Sequence, residues 1–364
     1  MNKTELKYFN QLDGFRFFSI ISVMLCHFIN TGFITRLPLG YGVMFFFVLS
    51  SFLITRILLN AKIKNINNKK SNSHSIKQFY TRRSLRIFPV YYILLFFLFL
   101  INYYPCREIF TWLITYSVNL FIGYSGDISI AGSYSHLWSL AIEEQFYILF
   151  PIFIFAIRQK YILSFLVGLV FIGLFGRMFL YFSNPLNIGL WNFHTISALD
   201  SLGIGGILGY LSLYKESFLK KIIGNKMLFI SSIFAFLIVM IFSYSIYDND
   251  LKYNFYSGVI MRFLFNIMSF WILGWSITFS YKGIIKYILE NKIVIYLGKI
   301  SYGLYLYHYF VLNIGNLILR KLELSFNMEF KALLFVMISI LIASLSWFLI
   351  EKPINKLKSN FIYN

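Results

Sequence analysis

Long apolar stretches dominate this 364-residue sequence. An α-helix that crosses a bilayer needs about 20 mostly apolar residues, within a range of roughly 17 to 25. Hydrophobic residues make up 59% of the chain, against roughly half in a soluble domain. Ten such stretches cover residues 15–33, 41–59, 87–104, 137–157, 161–182, 196–213, 227–244, 258–280, 301–319 and 332–350. The sequence therefore predicts an all-α polytopic membrane protein with about ten transmembrane helices.

Basic residues are concentrated between these stretches, and they predict the orientation of the chain. The formal net charge is +19, and the densest basic cluster lies between the second and third stretches. Cytoplasmic loops of membrane proteins carry an excess of Lys and Arg. Placing this cluster in the cytoplasm also places both termini there. The Lys-, Asn- and Ile-rich residue usage indicates a bacterial source, so we expect a location in the inner (cytoplasmic) membrane. The pattern of basic clusters favours anionic lipid and an anionic cofactor as partners, and it argues against nucleic acid.

Two segments depart from the pattern of long spans. Residues 109–122 are apolar and aromatic but short, so we expect an interfacial or re-entrant helix on the outer side. Residues 60–77 are rich in Asn, Lys and Ser, a composition that predicts a flexible cytoplasmic loop. Because no longer polar stretch occurs, we expect one integral-membrane domain over residues 1–364 and no appended soluble domain.

The first stretch carries an arginine and a histidine that share one helix face. Arg16 and His27 are eleven residues apart, which corresponds to about three helical turns and a rise of about 16 Å. His27 then lies near the middle of the bilayer, where an ionisable residue is costly and usually lines a functional cavity. The alternative is an arginine that reaches the lipid headgroups and a histidine satisfied by a neighbouring helix.

A cluster of arginines stands at the entry to the third stretch. It consists of Arg82, Arg83 and Arg86. Arg83 and Arg86 are three residues apart, so on a helix they share a face and can hold a phosphate group. The alternative is ordinary anchoring of a basic segment at the cytoplasmic surface.

Charged residues also interrupt later stretches. Glu143 and Glu144 are adjacent carboxylates among apolar residues, which packing does not explain. Consecutive helical residues point about 100° apart, so one can face a cavity and the other a neighbouring helix, where an arginine can pair with it. Arg177 and Asp200 are placed to neutralise each other across a helix pair. His308, in an aromatic stretch, fits a structural role better than a catalytic one.

Six motifs resemble, in order along nearly the whole chain, those of the acyltransferase-3 family of integral membrane O-acyltransferases. They are LDGFRFFSIISVMLCHF at 12–28, FFFVLSSFLI at 45–54, RRSLRIFPVYY at 82–92, HLWSLAIEEQFY at 136–147, GKISYGLYLYHYF at 298–310 and FLIEKP at 348–353. The chain has Ser51 where the family usually has Gly, a difference that affects close helix packing. The resemblance implies a ten-helix membrane domain.

By this resemblance, the protein moves an acyl group, most often acetyl, from cytoplasmic acyl-CoA to a hydroxyl of a cell-surface glycan or lipid-linked glycan. The expected acceptor is O-antigen of lipopolysaccharide or another surface polysaccharide. Acetyl-CoA is then a co-substrate, and no cofactor is bound permanently. Arg16, Arg82, Arg83 and Arg86 are expected to bind the CoA phosphates through charge-assisted hydrogen bonds. His27 is expected to act as a general base or to carry the acyl group covalently.

The resemblance also implies roles around His27. Glu143 is the expected carboxylate that orients the imidazole and stabilises its cation, with Glu144 as the alternative. Arg16, on the same helix face as His27, is counted with the catalytic residues. The candidates for acceptor binding are His136, Trp138, Glu144, Tyr124 and Tyr134.

Other classes of function remain open. A secondary transporter or flippase with an intramembrane Arg, His and Glu relay predicts helices broken by Gly or Pro at matching positions of two halves, and the sequence shows none. Within enzymes, the alternatives are a small-molecule or lipid acceptor and another acyl-CoA donor. No HExxH, CxxC, P-loop or GxSxG motif occurs, so no metal site is expected. The oligomeric state is not predicted.

Overall fold

The computed structural model describes residues 7–29, 31–68, 71–246 and 254–361. Within them the chain is all α-helical and has no β-strand, which confirms the predicted fold class. The helices are α1 (Asn10–Phe28), α2 (Gly42–Asn67), α3 (Asn72–Leu100), α4 (Phe110–Ile114), α5 (Val118–Ser125), α6 (Trp138–Ala156), α7 (Ile162–Ser183), α8 (Ile188–Phe193), α9 (Leu199–Tyr214), α10 (Glu216–Gly224), α11 (Lys226–Ile246), α12 (Arg262–Thr278), α13 (Gly283–Leu289), α14 (Lys292–Lys299), α15 (Ser301–Lys321), α16 (Met328–Ser346) and α17 (Lys352–Lys356). Short 3-10 segments occur at Phe33–Arg36, Leu39–Tyr41, Ile128–Leu137, Gln159–Tyr161, Thr195–Ala198 and Leu357–Asn360, and π-helical turns at Tyr256–Met261 and Trp347–Glu351.

Among the described residues, eight helical stretches are long and apolar enough to cross a membrane, so the chain is a multi-pass membrane protein. They are Leu39–Asn67, Asn72–Leu100, Ile128–Ala156, Gln159–Ser183, Thr195–Tyr214, Lys226–Ser245, Tyr256–Thr278 and Met328–Asn360. Helices also form at the other two predicted spans, α1 and α15, which are less apolar because charged, His and Tyr residues occur along them. For these two helices the count of ten spans stays a prediction, as does the side of the membrane on which the termini lie.

The prediction of a flexible loop at residues 60–77 is wrong. α2 continues to Asn67 and α3 begins at Asn72, so helices cover most of this segment. The buried ammonium group of Lys62 donates a hydrogen bond of 2.7 Å to the carbonyl oxygen of Ile154 near the end of α6. Free carbonyl groups at a helix C-terminus attract a cation. The polar side chain of Lys62 therefore connects α2 to the C-terminal end of α6, and composition alone does not reveal that role.

The prediction that residues 109–122 do not form a spanning helix is confirmed, but two short helices replace the single expected one, and their location on the outer side stays a prediction. The segment forms α4, of five residues, and α5, of eight residues. Neither approaches the roughly 20 residues that a spanning helix needs. Two hydrogen bonds fix α4 against α3, since the hydroxyl groups of Tyr91 and Tyr92 donate to carbonyl oxygens at its end.

α2 is the central helix of the bundle and packs against α1, α3, α6, α9 and α12. Its contact with α9 is close at Gly205, where a Cβ atom would lie 2.1 Å from the carbonyl oxygen of Val48. Ser51 is fully buried in this interface and donates its hydroxyl to the carbonyl oxygen of Leu202. Gly205 allows α9 to approach α2 closely. The interface therefore accommodates Ser51 on α2, at the position where the family usually has Gly.

The predicted pairing of Arg177 with Asp200 is confirmed. Their side chains meet at 2.7 Å between Nη2 and Oδ2, and both are fully buried. Asp200 also accepts a hydrogen bond of 3.2 Å from Asn266, and Arg177 donates one of 2.9 Å to the carbonyl oxygen of Ser197. The ion pair therefore connects α7, α9 and α12 at a depth where each charge needs a partner.

Candidate active site

Two cavities lie inside the bundle. The histidine cavity has a volume of about 1130 Å³ and is lined by His27, Arg36, His136, Trp138, Arg262 and Asn313, among others. The arginine cavity has a volume of about 480 Å³ and is lined by Arg16, Arg82, Arg83, Arg86, Glu143 and Lys358, among others. Val43 and Tyr305 line both cavities, so the two volumes are neighbours and these side chains form part of the wall between them. Volumes of several hundred Å³ are typical of sites for organic ligands.

His27 of α1 and His308 of α15 form a hydrogen-bonded pair. Nδ1 of His27 lies 2.9 Å from Nε2 of His308, and Nδ1 of His308 lies 2.7 Å from the carbonyl oxygen of Tyr305. A carbonyl only accepts hydrogen bonds, so for neutral rings the proton of His308 is on Nδ1 and its Nε2 is an acceptor. Nδ1 of His27 then donates to His308, and Nε2 of His27 carries the lone pair that a base or nucleophile uses.

His136 brings a third imidazole to the same cavity. Its Nε2 donates to the carbonyl oxygen of Leu306 at 3.2 Å, and its ring centroid lies 5.2 Å from that of His308. Tyr305 ties the two elements together, because its hydroxyl donates to the carbonyl oxygen of His136 and lies 2.6 Å from the hydroxyl of Ser139. The described residues contain no cluster arranged to hold a metal ion. A neutral imidazole can take up a proton or act as a nucleophile.

Glu143 does not have the position that the sequence analysis gave it. Its carboxylate accepts hydrogen bonds from Ser50 at 3.1 Å and from Tyr147 at 2.7 Å, and it lines the arginine cavity. Trp138 begins α6 beside the histidine cavity, and Glu143 lies five residues further, about 7.5 Å along the helix axis. His308 therefore takes the orienting position that we had expected for a carboxylate.

Glu144 and two of the aromatic candidates are also placed differently from the expectation. Glu144 is buried outside the linings of both cavities, so the prediction that the two adjacent carboxylates face different surroundings is confirmed. Tyr134 is fully buried and donates to the carbonyl oxygen of Tyr103, while Tyr124 is exposed. Of the five candidates for acceptor binding, His136 and Trp138 line the histidine cavity.

The arginine cavity brings the predicted cationic residues together. Five cationic side chains and one carboxylate line it. Arg83 lies 4.2 Å above the ring of Tyr147, and Arg16 forms an ion pair of 2.7 Å with Asp13, not with Glu143 or Glu144. Excess positive charge in a partly enclosed cavity attracts a multiply charged anion.

The C-terminal segment closes one side of the arginine cavity. Nη1 of Arg82 donates to the carbonyl oxygens of Lys358 and Phe361 at 2.7 and 2.8 Å. Lys358 also lines the cavity and adds a positive charge to it. Arg82 therefore holds the C-terminal segment, at Lys358 and Phe361, against the arginine cavity, and it also contributes its own charge.

Some residues of the site were not predicted from the sequence. His308 was interpreted as structural, and Val43, Tyr305, Arg262 and Lys358 were not singled out as site residues. Arg262 is a cation inside the predicted span 258–280, which is a signal that the sequence does contain. The junction formed by Val43 and Tyr305 has no such signal, since it depends on how α2 and α15 face each other.

The comparisons with known proteins agree with the motifs. A family model described as an acyltransferase domain matches residues 9–351. A Staphylococcus aureus (strain COL) protein with O-acetyltransferase in its name is 28% identical over 98% of this chain and 60% of that protein. The peptidoglycan O-acetyltransferase OatA of Listeria monocytogenes (strain EGD-e) is 27% identical over 96% of this chain and 56% of that protein.

The chain spans about 60% of the length of the relatives it matches. The O-acetyltransferase OatA of Staphylococcus aureus (strain NCTC 8325) is 27% identical over 96% of this chain and 58% of that protein. No solved structure matches the chain. The family model covers nearly all of the sequence, and it includes both the arginine cluster and the paired histidines. The chain therefore belongs to the acyltransferase-3 family of integral membrane acyltransferases.

Proposed function

We propose that this protein is an O-acetyltransferase that moves an acetyl group from cytoplasmic acetyl-CoA to a hydroxyl of a cell-surface glycan. The observation that carries the proposal is that two different cavities are neighbours at Val43 and Tyr305. One cavity is cationic and the other contains His27. A donor whose phosphates bind in the first can extend its thioester past the junction towards the histidine.

The donor half of the proposal depends on charge. CoA carries several phosphate charges, and Arg83 and Arg86 lie on the same helix beside Arg16 and Lys358. Guanidinium groups bind phosphate through charge-assisted, often bidentate hydrogen bonds. Acetyl-CoA fits this cavity as a co-substrate that enters and leaves in each turnover.

The acetyl transfer uses the lone pair on Nε2 of His27. As a general base, this nitrogen takes the proton of the acceptor hydroxyl while the oxygen attacks the thioester carbon. A C–O bond forms, the C–S bond breaks, and the CoA thiolate recovers the proton from the imidazolium. The alternative is direct attack by Nε2, which gives an acetyl-imidazole that the hydroxyl then cleaves. In both routes the hydrogen bond to His308 holds the ring and stabilises its positive charge.

The acceptor belongs, in this proposal, to the glycans of the cell surface. The name of the Listeria monocytogenes relative makes peptidoglycan an acceptor to test beside O-antigen. A cytoplasmic donor and an external acceptor place the protein in the bacterial inner membrane, with the arginine cavity towards the cytoplasm. Both termini then lie in the cytoplasm, as the basic clusters predict.

The test is an assay of acetyl transfer by the purified protein in nanodiscs. Acetyl-CoA with a radiolabelled acetyl group is supplied with extracted peptidoglycan or lipopolysaccharide, and both free CoA and label on the glycan are measured. We expect both products to form together. A folded protein that neither binds nor consumes acetyl-CoA or any other acyl-CoA would contradict the proposal. Transport by proteoliposomes would then be the next measurement.

The variants Arg83→Gln and Arg86→Gln are expected to weaken donor binding. Each removes a charge-assisted hydrogen bond to phosphate, so we expect the KM for acetyl-CoA to rise about tenfold or more per variant. High salt should raise the KM of the unchanged protein more than that of the variants, because salt screens the attraction between arginine and phosphate that the variants lack. Arg158→Gln is the matched control, since Arg158 is exposed and lines neither cavity. Equal KM values for all variants would remove these arginines from the donor site.

The variant Val43→Phe is expected to block passage between the cavities. Val43 is 8% exposed and lines both of them, so a larger ring fills the junction. We expect acetyl transfer to fall by about tenfold or more, while the dissociation constant of acetyl-CoA stays within about twofold. Equilibrium dialysis of labelled donor and the nanodisc assay give the two values. Ile172→Phe, at an exposed position of α7, is the control. Unchanged transfer by the Val43 variant would show that the acetyl group does not pass here.

A further inference from the structure

The wall of the histidine cavity contains a buried positive charge with incomplete hydrogen bonding. Arg262 lines this cavity, and its side chain is 1% exposed. Nη1 donates to the backbone and side-chain oxygens of Asn192 at 3.0 and 3.3 Å. Nε and Nη2 have no hydrogen-bond partner among the described residues. A buried guanidinium with two unused donors is costly unless a ligand or another group satisfies it.

The neighbouring charges do not neutralise Arg262. Asp200 is the carboxylate that acts on it electrostatically, and Arg177 is a nearby cation. Asp200 is already paired with Arg177 at 2.7 Å. Two cations therefore share one carboxylate within the membrane span, which leaves an excess positive charge beside the cavity. Removing an ion from water is expensive unless an opposite charge compensates it.

A second cation lines the same cavity. Arg36 is exposed at the end of the 3-10 segment Phe33–Arg36. Among the described residues that line the cavity, none is Asp or Glu. The described residues of the lining therefore carry a net positive charge, which favours an anionic occupant over a neutral one.

We propose that the acceptor in the histidine cavity carries an oxyanion, a carboxylate or a phosphate, which Arg262 and Arg36 bind while a hydroxyl of the same molecule faces His27. This inference rests on the proposed function, because it specifies the chemical class of the acceptor. A planar guanidinium offers paired N–H donors that match both kinds of oxyanion. Binding of such a group beside Arg262 supplies the missing negative charge.

The test is a binding measurement, which does not depend on turnover. Equilibrium dialysis with the protein in nanodiscs compares an oligosaccharide that contains one uronic acid with its carboxyl-reduced form. A second pair compares a sugar linked to a short polyprenyl diphosphate with the same sugar on the neutral alcohol. We expect the charged member of at least one pair to bind about tenfold or more tightly. The pair that shows the difference identifies carboxylate or carrier phosphate as the oxyanion.

Variants connect the preference to the two arginines. Arg262→Gln is expected to abolish the difference within a pair, and Arg36→Gln, at an exposed position, is expected to reduce it. Arg320→Gln is the control, since Arg320 is exposed and lines neither cavity. Equal or absent binding of both members in each pair, or a difference that both variants retain, overturns the inference. Selective binding by a protein that neither binds nor consumes any acyl-CoA would contradict the proposed function, and only the oxyanion site of Arg262 and Arg36 would remain, without its role in acceptor binding.

Discussion

Replacement of His27 by glutamine is expected to reduce acetyl transfer by about 10² to 10⁴-fold. Glutamine retains a polar group of similar reach, but it has no basic nitrogen that can take a proton from a hydroxyl. Because His27 lines the histidine cavity and the CoA phosphates are assigned to the other cavity, the dissociation constant of acetyl-CoA should stay within about twofold. Dialysis of labelled donor and the nanodisc transfer assay measure both quantities.

The matched control for this variant is His74→Gln. His74 is exposed on α3 and lines neither cavity, so its replacement should leave transfer unchanged. Normal acetyl transfer by His27→Gln would show that the imidazole of His27 takes no part in the chemistry. That conclusion would hold whatever the dissociation constant of acetyl-CoA is. A burst of about one CoA per protein in the absence of acceptor separates the two routes, because only the covalent route releases CoA before the hydroxyl attacks.

His308 is a positioning residue in this arrangement, and its variants should behave differently from those of His27. His308→Gln places an amide oxygen that can still accept the hydrogen bond from Nδ1 of His27, whereas His308→Leu offers no acceptor. We expect the Leu variant to lose more of kcat than the Gln variant, with little change in KM for acetyl-CoA. Equal losses in the two variants would indicate that His308 acts through packing and not through the ring of His27.

The helices and the arginine cluster were predictable because their signals are local. A run of about 20 apolar residues specifies a span by itself, and each predicted span coincides with a helix. Arg83 and Arg86 face the same cavity because they are three positions apart on α3 and so share one face of the helix. The ion pair of Arg177 with Asp200 was predictable because two buried opposite charges on adjacent helices have few other partners.

The pairing of His27 with His308 was not predictable from such local signals. His27 and His308 are 281 positions apart in the sequence, and no periodicity of α1 or α15 indicates which residues of the two helices meet. The assignment of Glu143 to His27 failed for the same reason, because the depth of Glu143 along α6 depends on where Trp138 starts that helix. The length of α2 was missed because Lys62 is satisfied by carbonyl groups of another helix. Tertiary contacts decide each of these cases.

Replacement of Asp200 by asparagine is expected to destabilise the protein by about 3–5 kcal/mol. The substitution keeps the size of the side chain but leaves Arg177 fully buried without its carboxylate, which lies 2.7 Å away in the ion pair. Arg262 also loses its attraction to Asp200, so the repulsion between the buried cations Arg177 and Arg262 is no longer compensated. The free energy of unfolding in mixed micelles, followed by a denaturing detergent titration, measures the loss.

A double variant distinguishes the ion pair from simple crowding at this position. Arg177→Met combined with Asp200→Leu removes both charges, and we expect it to be much more stable than Asp200→Asn, because an unpaired buried charge costs more than an apolar pair of similar volume. Glu216→Gln is the control: Glu216 pairs with Lys220 at 2.8 Å on the exposed side of α10, and loss of an exposed pair should cost less than about 1 kcal/mol. A double variant as unstable as Asp200→Asn would show that shape, and not charge balance, holds α7 to α9. Since Gly173 of α7 lies so close that a Cβ would be 2.1 Å from the backbone nitrogen of Asp200, the measurement weighs that close packing directly against the electrostatic contribution.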